Sequence, residues 1–327
     1  MIYEDKIYGK IEISEPIILD LINSPTLQRL KGIDQAGYFE PQFPGTARNR
    51  FEHSLGVYIL LKKYGAPIEE QIAGLIHDVS HTVFSHCADY ALDEGSETKQ
   101  DYQDNIFGDF VKKSDIPAII GKYGFDLDYI LNEENFPLKE KKLPDLCADR
   151  IDYSLRTAIV FKGMKYEEVK KLLDDLTTEN QNWIFKNFAS AKKYAELFKE
   201  LNESYYAGLA AAVMLKTVGD YLRYGAKKGY IAEEDFHTTD KEILAKLAKH
   251  LGEDKKLKLL FDRMNMKIGF RNDSKDYTVH VFCKSRAVDP LCRRDGKIKR
   301  VSEIDSKWKE TIEKESRPNE YFIKFLE

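Results

Sequence analysis

Several features that would place a protein in a common class are missing from this chain of 327 residues. Its four cysteines form no CxxC pair, so neither a zinc knuckle nor a disulfide framework is indicated. The longest apolar run, Ala207 to Leu215, has nine residues, about half of what a membrane-spanning helix needs. The N-terminal sequence MIYEDKIYGK carries acidic residues where a signal peptide carries basic ones. We therefore expect a reduced, cytoplasmic protein that is neither exported nor membrane-spanning.

An excess of basic residues is also missing. The chain has 51 Lys and Arg against 55 Asp and Glu, which gives a formal net charge of −4. Nucleic-acid binding favours a basic footprint, and the sequence contains no basic-aromatic motif for it. The charged stretches 191–200 and 240–257 are typical of solvated helix faces. A small anionic ligand would therefore need a local basic pocket.

Helical periodicity dominates the first two thirds of the sequence. Apolar residues recur at helical spacing from Pro16 to Leu30, with Asn23-Ser24-Pro25 predicting a helix start. Further helical patterns cover 51–64, 67–79, 103–112, 144–161, 166–174 and about 189–228.

Strand patterns are fewer and lie mostly near the C-terminus. Residues 7–13 predict a short strand, and 277–283 and 320–326 alternate as strands do. No linker composition or internal repeat divides the chain. We predict a mainly α fold, with a helical core at residues 1–228 and a smaller C-terminal α+β region at residues 229–327 packed on it.

Histidines are concentrated in one part of the chain. Four of the seven fall within 34 residues, at positions 53, 77, 81 and 86, in the phrases NRFEHSLGV and AGLIHDVSHTVFSH. His77 and Asp78 are adjacent near a predicted helix end, so both could reach one ion only if it lay just beyond that end. His53 belongs to a second helix, and Asp149 and Asp152 form an acidic pair on a third. A lone histidine is more often a core residue, but two imidazoles with two carboxylates suit an octahedral divalent ion.

These phrases carry a family resemblance. NRFEHSLGV, IHDVSHTVFSH and DRIDYSLR together resemble the HD-domain phosphohydrolases, and specifically their deoxynucleoside triphosphate triphosphohydrolase branch. The likeness extends through INSPTLQRLKGIDQAG upstream and DFHTTDKEIL downstream. It implies one divalent metal ion, which could be Mn, Mg, Fe, Ni or Zn, bound by His53, His77, Asp78 and Asp149. It also implies hydrolysis of a dNTP to a deoxynucleoside and triphosphate.

The resemblance further assigns the residues that bind substrate. Arg50 corresponds to an arginine that grips phosphate, and Arg150 stands where the family has a phosphate-binding lysine. Tyr153 matches a substrate-contacting tyrosine, and Gln35 matches a glutamine that touches the nucleoside. Two arginines near a metal would offset the charge of a phosphate oxyanion, which agrees with this assignment.

Three further residues match the family's proton-transfer group. His81 and His86 match histidines beside the scissile phosphate, and Asp89 matches an acid that orients His86. An imidazole with an ordinary pKa near 6.5 can donate or accept a proton at neutral pH. We therefore expect His86, held by Asp89, to be the general acid. The alternative is that Asp89 caps a helix and His86 merely packs.

Two departures from the branch leave the substrate open. No histidine occurs from 87 to 236, so the branch's later His-Glu pair is absent, and Lys99–Asp104 stands in its place. This removes a proton-transfer candidate and argues against a dinuclear site. Thr157 replaces an aspartate that binds the sugar 3′-hydroxyl, which leaves deoxyribose selection undecided. Tyr205, Tyr206 and Arg223 are candidates for sugar or phosphate contacts, with core and surface helix positions as the alternative.

Three functions therefore stay open. The first is dNTP triphosphohydrolysis, and the second is phosphatase or nucleotidase action on another phosphate ester. The third is a catalytically weak nucleotide-binding regulatory protein that keeps the metal for stability. A cyclic-dinucleotide phosphodiesterase is disfavoured because the HHE and GYP signatures are missing. Family members commonly assemble, so by analogy we expect a homo-oligomer that uses apolar surface of residues 189–228.

Overall fold

The computed structural model describes all 327 residues and is mainly helical, as the sequence predicts. The α-helices are α1 (Pro16–Asn23), α2 (Pro25–Arg29), α3 (Arg50–Lys63), α4 (Ile68–Ile76), α5 (Tyr102–Lys112), α6 (Ile116–Lys122), α7 (Leu127–Leu131), α8 (Ala148–Lys162), α9 (Tyr166–Asp174), α10 (Phe188–Leu201), α11 (Leu209–Lys227), α12 (Asp240–Ala248), α13 (Lys255–Met264), α14 (Val301–Ile304) and α15 (Ser306–Glu315). The strands are β1 (Ile2–Asp5), β2 (Gly9–Glu12), β3 (Leu176–Glu179), β4 (Asn182–Phe185), β5 (Phe270–Asn272), β6 (Val279–Cys283), β7 (Leu291–Arg294), β8 (Lys297–Arg300) and β9 (Asn319–Phe325). No helix is long and apolar enough to cross a bilayer.

Helix α3 is the central element that positions the site. Its N-cap, Asn49, accepts a hydrogen bond from the backbone N–H of Glu52 at 2.9 Å, which fixes where the helix begins. Eleven of its fourteen residues are buried, because α4 and α8 both pack against it. The contact with α8 requires glycine at position 56, since a Cβ there would clash with the Asp152 carboxylate. Close packing thus brings the histidine of α3 next to the acidic pair of α8.

The predicted helix at 67–79 ends earlier, at Ile76. His77 and Asp78 therefore lie at the end of the helix and not inside it. The chain then turns through a loop in which Phe84 and Ser85 both have positive φ, 53° each. Asp240, at the start of α12, accepts hydrogen bonds from Phe84 N at 2.7 Å and Asp34 N at 2.8 Å. A half-buried carboxylate that satisfies two backbone donors stabilises a loop that would otherwise leave them unpaired. His77, Asp78, His81 and His86 all sit on this braced loop and the short 3-10 helix Ser85–Tyr90 that follows.

The sheets connect distant parts of the chain. The two strands predicted near the C-terminus are present as β6 and β9, which pair antiparallel with Val281 opposite Tyr321. The four-stranded sheet β3-β4-β7-β8 was not predicted from the sequence, and its parallel contact β4–β7 joins residues on either side of position 229. The division into residues 1–228 and 229–327 stays a prediction.

The predicted helical stretch at 189–228 is interrupted. Helix α10 runs into a π-helical turn, Asn202–Tyr206, before α11 begins. Gly208 follows that turn at a point where a Cβ would lie 2.6 Å from the carbonyl oxygen of Glu203. The interruption places Tyr206 in the cavity described below, whereas Tyr205 is fully buried. The apolar core accordingly divides into one cluster around α3, α4 and α8 and a second around α11.

Candidate metal centre and active-site cavity

Three helices bring the predicted ligands together. Ligand atoms of His53, His77 and Asp149 all lie within 4.8 Å of one another. The two Nε2 atoms are 3.2 Å apart, and Asp149 Oδ1 lies 2.9 Å from His53 Nε2 and 3.5 Å from His77 Nε2. Asp78 completes the set, with carboxylate oxygens 3.4 Å from His77 Nε2 and 3.7 Å from His53 Nε2. The four sequence-predicted ligands therefore lie together, with His53, His77 and Asp149 as the compact group and Asp78 at its edge.

The opposite ring nitrogens show why the Nε2 atoms face inward. His53 Nδ1 lies 2.8 Å from Asp152 Oδ2, and His77 Nδ1 lies 2.8 Å from the carbonyl oxygen of Gly74. Both neighbours accept hydrogen bonds, so each Nδ1 carries a proton and each Nε2 is the atom left to offer a lone pair when a cation binds. Two nitrogens about 2.1 Å from one ion at roughly right angles would be separated by about 3 Å, close to what is observed. The donor set therefore fits a divalent cation.

A buried chain of charges holds the first of these histidines. Asp152 also accepts hydrogen bonds from Arg156 Nε at 2.7 Å and from the Tyr8 hydroxyl at 2.9 Å. Arg156 in turn contacts Asp5 Oδ2 through Nη2 at 2.8 Å. All of these residues are buried. The sequence had marked Asp152 only as part of an acidic pair, and the structure gives it a supporting position behind His53.

The electrostatics of the cluster call for positive charge. Burial lowers the pKa of His53, but hydrogen bonds to Asp149 and Asp152 outweigh it and raise that pKa to about 9. Burial likewise opposes ionisation of Asp149, yet its contacts with His53 and His77 hold its pKa below the ordinary range. Without a cation, a proton on His53 would supply the missing charge. A metal ion must displace that proton to bind.

A second group of possible metal ligands lies next to the first, and an arginine already offsets its negative charge. Glu140 and Cys147 share Asp149 with the main cluster. Arg150 Nη2 lies 3.3 Å from Glu140 Oε1, and its Nη1 donates to Cys147 Sγ at 3.0 Å. The same Nη1 donates to the carbonyl oxygen of Asp145 at 2.7 Å. A guanidinium at this point repels a cation, so these residues are a poor site for a metal ion.

Ten of the eleven predicted site residues line one cavity of about 270 Å³. They are Gln35, Arg50, His53, His77, Asp78, His81, His86, Asp149, Arg150 and Tyr153. Asp89 is the exception, because it lies buried behind His86.

Arg50 is the cation nearest to the cluster. Its Nη1 contacts Asp78 Oδ2 at 2.6 Å, its Nε donates to Ser85 Oγ at 2.7 Å, and its Nη2 donates to the carbonyl oxygen of Gln35 at 3.1 Å. Burial would raise the pKa of Asp78, but the charges of Arg50 and His77 hold it well below the ordinary range. The guanidinium is thus fixed in the cavity wall beside a candidate metal ligand.

His81 and His86 stand together at a second wall, with ring centroids 5.1 Å apart. His81 Nε2 lies 3.3 Å from Asp78 Oδ1, and His86 Nδ1 lies 3.6 Å from Asp89 Oδ2, which is too long for a hydrogen bond. Burial lowers the pKa of both imidazoles, more strongly for His81, and Asp89 opposes the shift at His86. Both rings are therefore neutral until an anion enters the cavity and favours their protonated form.

The predicted sugar position is occupied by a buried polar network. Thr157 Oγ1 accepts hydrogen bonds from Arg48 Nη2 and from the Tyr206 hydroxyl, the latter at 2.6 Å. Arg48 Nε donates to Gln35 Oε1 at 2.8 Å. Arg48 and Tyr206 both line the cavity. The aspartate that the family carries at position 157 is replaced here by a neutral hydroxyl beside a buried cation.

Sequence reasoning missed several lining residues. Lys139, Lys284 and Arg286 bring cationic groups to the cavity, and Gln100 and Asp104 come from the stretch that replaces the family's His-Glu pair. Burial raises the pKa of Asp104 to about 6. No local pattern marked these residues, because the chain reaches the cavity here through tertiary contacts. The charged stretch at 284–286 directly follows a predicted strand, and that position was the one available signal.

Comparisons with known proteins identify the family. The family model described as "HD domain" matches residues 50–156. The uncharacterized protein YdhJ of Bacillus subtilis is 32% identical over 304 residues, which cover 93% of this chain and 92% of that protein. The metal-dependent phosphohydrolase cns2 of Cordyceps militaris is 40% identical over 54% of this chain and 50% of its own length. Human deoxynucleoside triphosphate triphosphohydrolase SAMHD1 is 34% identical over 38% of this chain and 23% of its own length.

A solved structure supports the fold over the whole chain. The crystal structure of a phosphohydrolase from Bacteroides thetaiotaomicron superposes with a TM-score of 0.72, covering 100% of both chains at 16% identity. At that identity the likeness concerns the fold alone. The sequence matches identify the family. The match to YdhJ extends over nearly all of both proteins, and the HD-domain match covers the candidate metal centre. The chain therefore belongs to the HD-domain superfamily of metal-dependent phosphohydrolases.

Proposed function

We propose that this protein hydrolyses nucleotides, converting a dNTP and water to a deoxynucleoside and inorganic triphosphate. The observation that carries the proposal is a single cavity that contains the metal-type cluster, the fixed guanidinium of Arg50 and the imidazole pair His81 and His86. A phosphoryl transfer needs an activated water, charge neutralisation and a proton for the leaving group, and this cavity holds a group for each. The partial match to SAMHD1 supports the choice of nucleotide.

In the proposed reaction water attacks the α phosphorus, the bond from that phosphorus to the sugar 5′ oxygen breaks, and the 5′ oxygen takes a proton. A divalent ion supplies Lewis acidity and lowers the pKa of water when it is bound. His53, His77, Asp78 and Asp149 would hold it. Arg50 stabilises the charge on the phosphoryl oxygens. His86 delivers the proton, because it is the more exposed of the two imidazoles and Asp89 stands behind it.

The rest of the cavity would hold the nucleoside. Tyr153 and Tyr206 meet edge to face, with ring centroids 5.4 Å apart, and Phe39 adds an apolar surface. Gln35 offers an amide next to Arg48. Flat apolar faces with a few fixed polar groups are the usual lining of a site for a small organic ligand.

A second candidate is hydrolysis of another phosphate ester, such as a nucleoside monophosphate. The network of Thr157, Arg48 and Tyr206 favours it, because no carboxylate is present to accept a hydrogen bond from the sugar 3′-hydroxyl. A buried hydroxyl partner can change selectivity by several kcal/mol.

One experiment separates these functions. Purified protein is incubated with a panel of dNTPs, NTPs and monophosphates in the presence of Mn²⁺, Mg²⁺, Fe²⁺, Ni²⁺ or Zn²⁺, and the products are resolved by ion-exchange chromatography. Inorganic triphosphate with free deoxynucleoside supports the proposed reaction. Orthophosphate from a monophosphate supports the second candidate. Nucleotide binding without turnover in any metal would contradict both and favour a regulatory protein.

A further inference from the structure

The segment Cys283–Ala287, which follows β6, forms an extended strap at the edge of the cavity. Its side chains alternate: Cys283, Ser285 and Ala287 are buried in the protein, while Lys284 and Arg286 line the cavity. Alternation of this kind is what an extended backbone produces. The strap thus presents two neighbouring cations to the same space as the candidate metal centre, from a part of the chain more than 120 residues beyond Asp149.

A buried hydrogen-bond network fixes the backbone of the strap. Ser285 Oγ donates to Glu315 Oε2 at 2.8 Å, and Asn202 Nδ2 lies 2.9 Å from Ser285 Oγ and 3.1 Å from Glu315 Oε2. Asn202 Oδ1 accepts a hydrogen bond from Arg286 N at 2.9 Å. Asn202 is fully buried in the turn between α10 and α11, and Glu315 is 4% exposed at the end of α15. The two cations are therefore held in place before any ligand arrives.

The cations of the strap differ from most others in the cavity, because they have no carboxylate partner. Three cavity cations are already paired: Arg50 with Asp78, Lys139 with Glu133 at 2.7 Å and Arg150 with Glu140. Neither cation of the strap has a carboxylate oxygen within 4.0 Å.

The surroundings of the strap cations offer few acceptors for their hydrogen bonds. The guanidinium of Arg286 donates only to the amide oxygen of Gln100, at 3.2 Å, and to the backbone oxygen of Lys284, at 3.4 Å. Burial first, and then the charge of Arg286, lower the pKa of Lys284 to about 8, although Asp104 opposes the shift. Two like charges in a partly buried position favour the entry of an anion.

We propose that Lys284 and Arg286 form an anion subsite for a second phosphoryl group of the substrate, separate from the one that Arg50 holds beside the metal centre. This inference rests on the proposed function, and it commits the substrate to a nucleotide with two or more phosphates. Arginine and lysine bind phosphate oxygens through charge-assisted hydrogen bonds, the arginine through a two-pronged contact.

Binding of inorganic ions tests the subsite without catalysis. Isothermal titration of the Mn²⁺-loaded protein measures the affinity for inorganic triphosphate and for orthophosphate. We expect Lys284→Gln and Arg286→Gln each to weaken triphosphate binding about 10-fold or more, as loss of a hydrogen bond to a charged group does. Orthophosphate, which Arg50 can hold alone, should change less than about twofold. The selectivity between the two ions is therefore the readout.

Two controls keep the test sharp. Lys297→Gln removes an exposed lysine from β8 that does not line the cavity, and it should leave both affinities unchanged. Arg286→Lys keeps the charge and should recover part of the triphosphate affinity. Melting temperatures of all variants check that the strap region remains folded.

The outcomes separate this inference from the proposed function. Triphosphate binding that is absent in the unsubstituted protein, unchanged in both variants, or weakened equally with orthophosphate binding would overturn the subsite, whatever the substrate panel reveals. The subsite would also be overturned if the two variants showed weaker inhibition by triphosphate but an unchanged KM for every nucleotide. The two cations would then bind free triphosphate and not the phosphates of the substrate. A selective loss supports the subsite even if the products show that bond cleavage differs from the proposed reaction.

Discussion

The contact between Asp152 and His53 provides a direct test of how the metal centre is built. Asp152→Asn keeps the shape of the side chain and removes its negative charge. The carboxylate now accepts hydrogen bonds from His53 Nδ1 at 2.8 Å, Arg156 Nε at 2.7 Å and the Tyr8 hydroxyl at 2.9 Å. An amide has one accepting oxygen, so it cannot satisfy all three donors. His53 loses both its orientation and part of its basicity as a ligand.

The size of the effect follows from the two roles of Asp152. Loss of a partner behind a metal-ligating histidine weakens metal binding by about 10- to 100-fold, which corresponds to about 1.4–2.7 kcal/mol. The free energy of unfolding of the metal-free protein should fall by about 1–3 kcal/mol, because a buried donor is left unpaired. The second loss is limited, since Arg156 keeps its contact with Asp5 at 2.8 Å.

Metal affinity is measured by titration in chelator-buffered Mn²⁺, and stability by urea unfolding of the metal-free protein. Asp5→Asn is the matched control, because it removes a charge from the same buried chain but does not touch His53. It should lower stability and change metal affinity by less than about threefold. If Asp152→Asn and Asp5→Asn weaken metal binding equally, the orientation of His53 does not depend on Asp152 and the reasoning is wrong.

Three further predictions concern the ligands, the phosphate contact and the pH dependence of stability. His77→Ala should lose most of the bound metal, as elemental analysis would show, and a retained stoichiometry of one would contradict the cluster. Arg50→Lys should keep the metal but lower kcat about 10-fold or more, because an ammonium cannot replace a guanidinium that contacts three neighbours; a normal rate would mean that phosphate binds elsewhere. Burial, and then Arg29, lower the pKa of His237 to about 4, below its unfolded value of about 6.5. The contribution of this neutral histidine to the free energy of unfolding is therefore complete above pH 6.5 and is lost as the pH falls towards 4. Urea unfolding at several pH values should show that the free energy of unfolding depends less on pH between 6.5 and 4 in His237→Gln than in the unsubstituted protein. The same pH dependence in both proteins would exclude this contribution.

The grouping of the candidate metal ligands could be predicted from the sequence because its signals are local. His77 and Asp78 follow the last turn of an apolar helix, and both the helix and its end are encoded within a few residues. His53 lies one turn inside α3 and Asp149 at the start of α8, so each ligand is near a helix terminus. Residues at helix ends can converge on one point without disturbing the packing of the helix interiors. The spacing of the four candidate ligands along the sequence therefore reflects their positions near the helix ends.

The supporting contacts could not be predicted in the same way. The partners of Asp152 come from residues as far apart as Tyr8 and Arg156, and the contact with Tyr8 spans 144 positions. A buried carboxylate needs several donors, but the sequence does not say which parts of the chain provide them. The same limit applies to the sheet that joins β4 to β7 in parallel, because its register depends on packing rather than on an alternating pattern.

Position 157, where threonine replaces the aspartate of the family pattern, can be interpreted only together with the residues around it. From the sequence, Thr157 means the loss of a carboxylate from the sugar position. In the structure the threonine hydroxyl accepts hydrogen bonds from Arg48 and Tyr206, so a buried cation lies directly beside this position. Arg48 has no carboxylate within 4.0 Å, and a carboxylate at position 157 would pair with it and neutralise it. The cavity therefore presents a cation and a neutral hydroxyl at this point, whereas a carboxylate at position 157 would offer an acceptor to a donating hydroxyl.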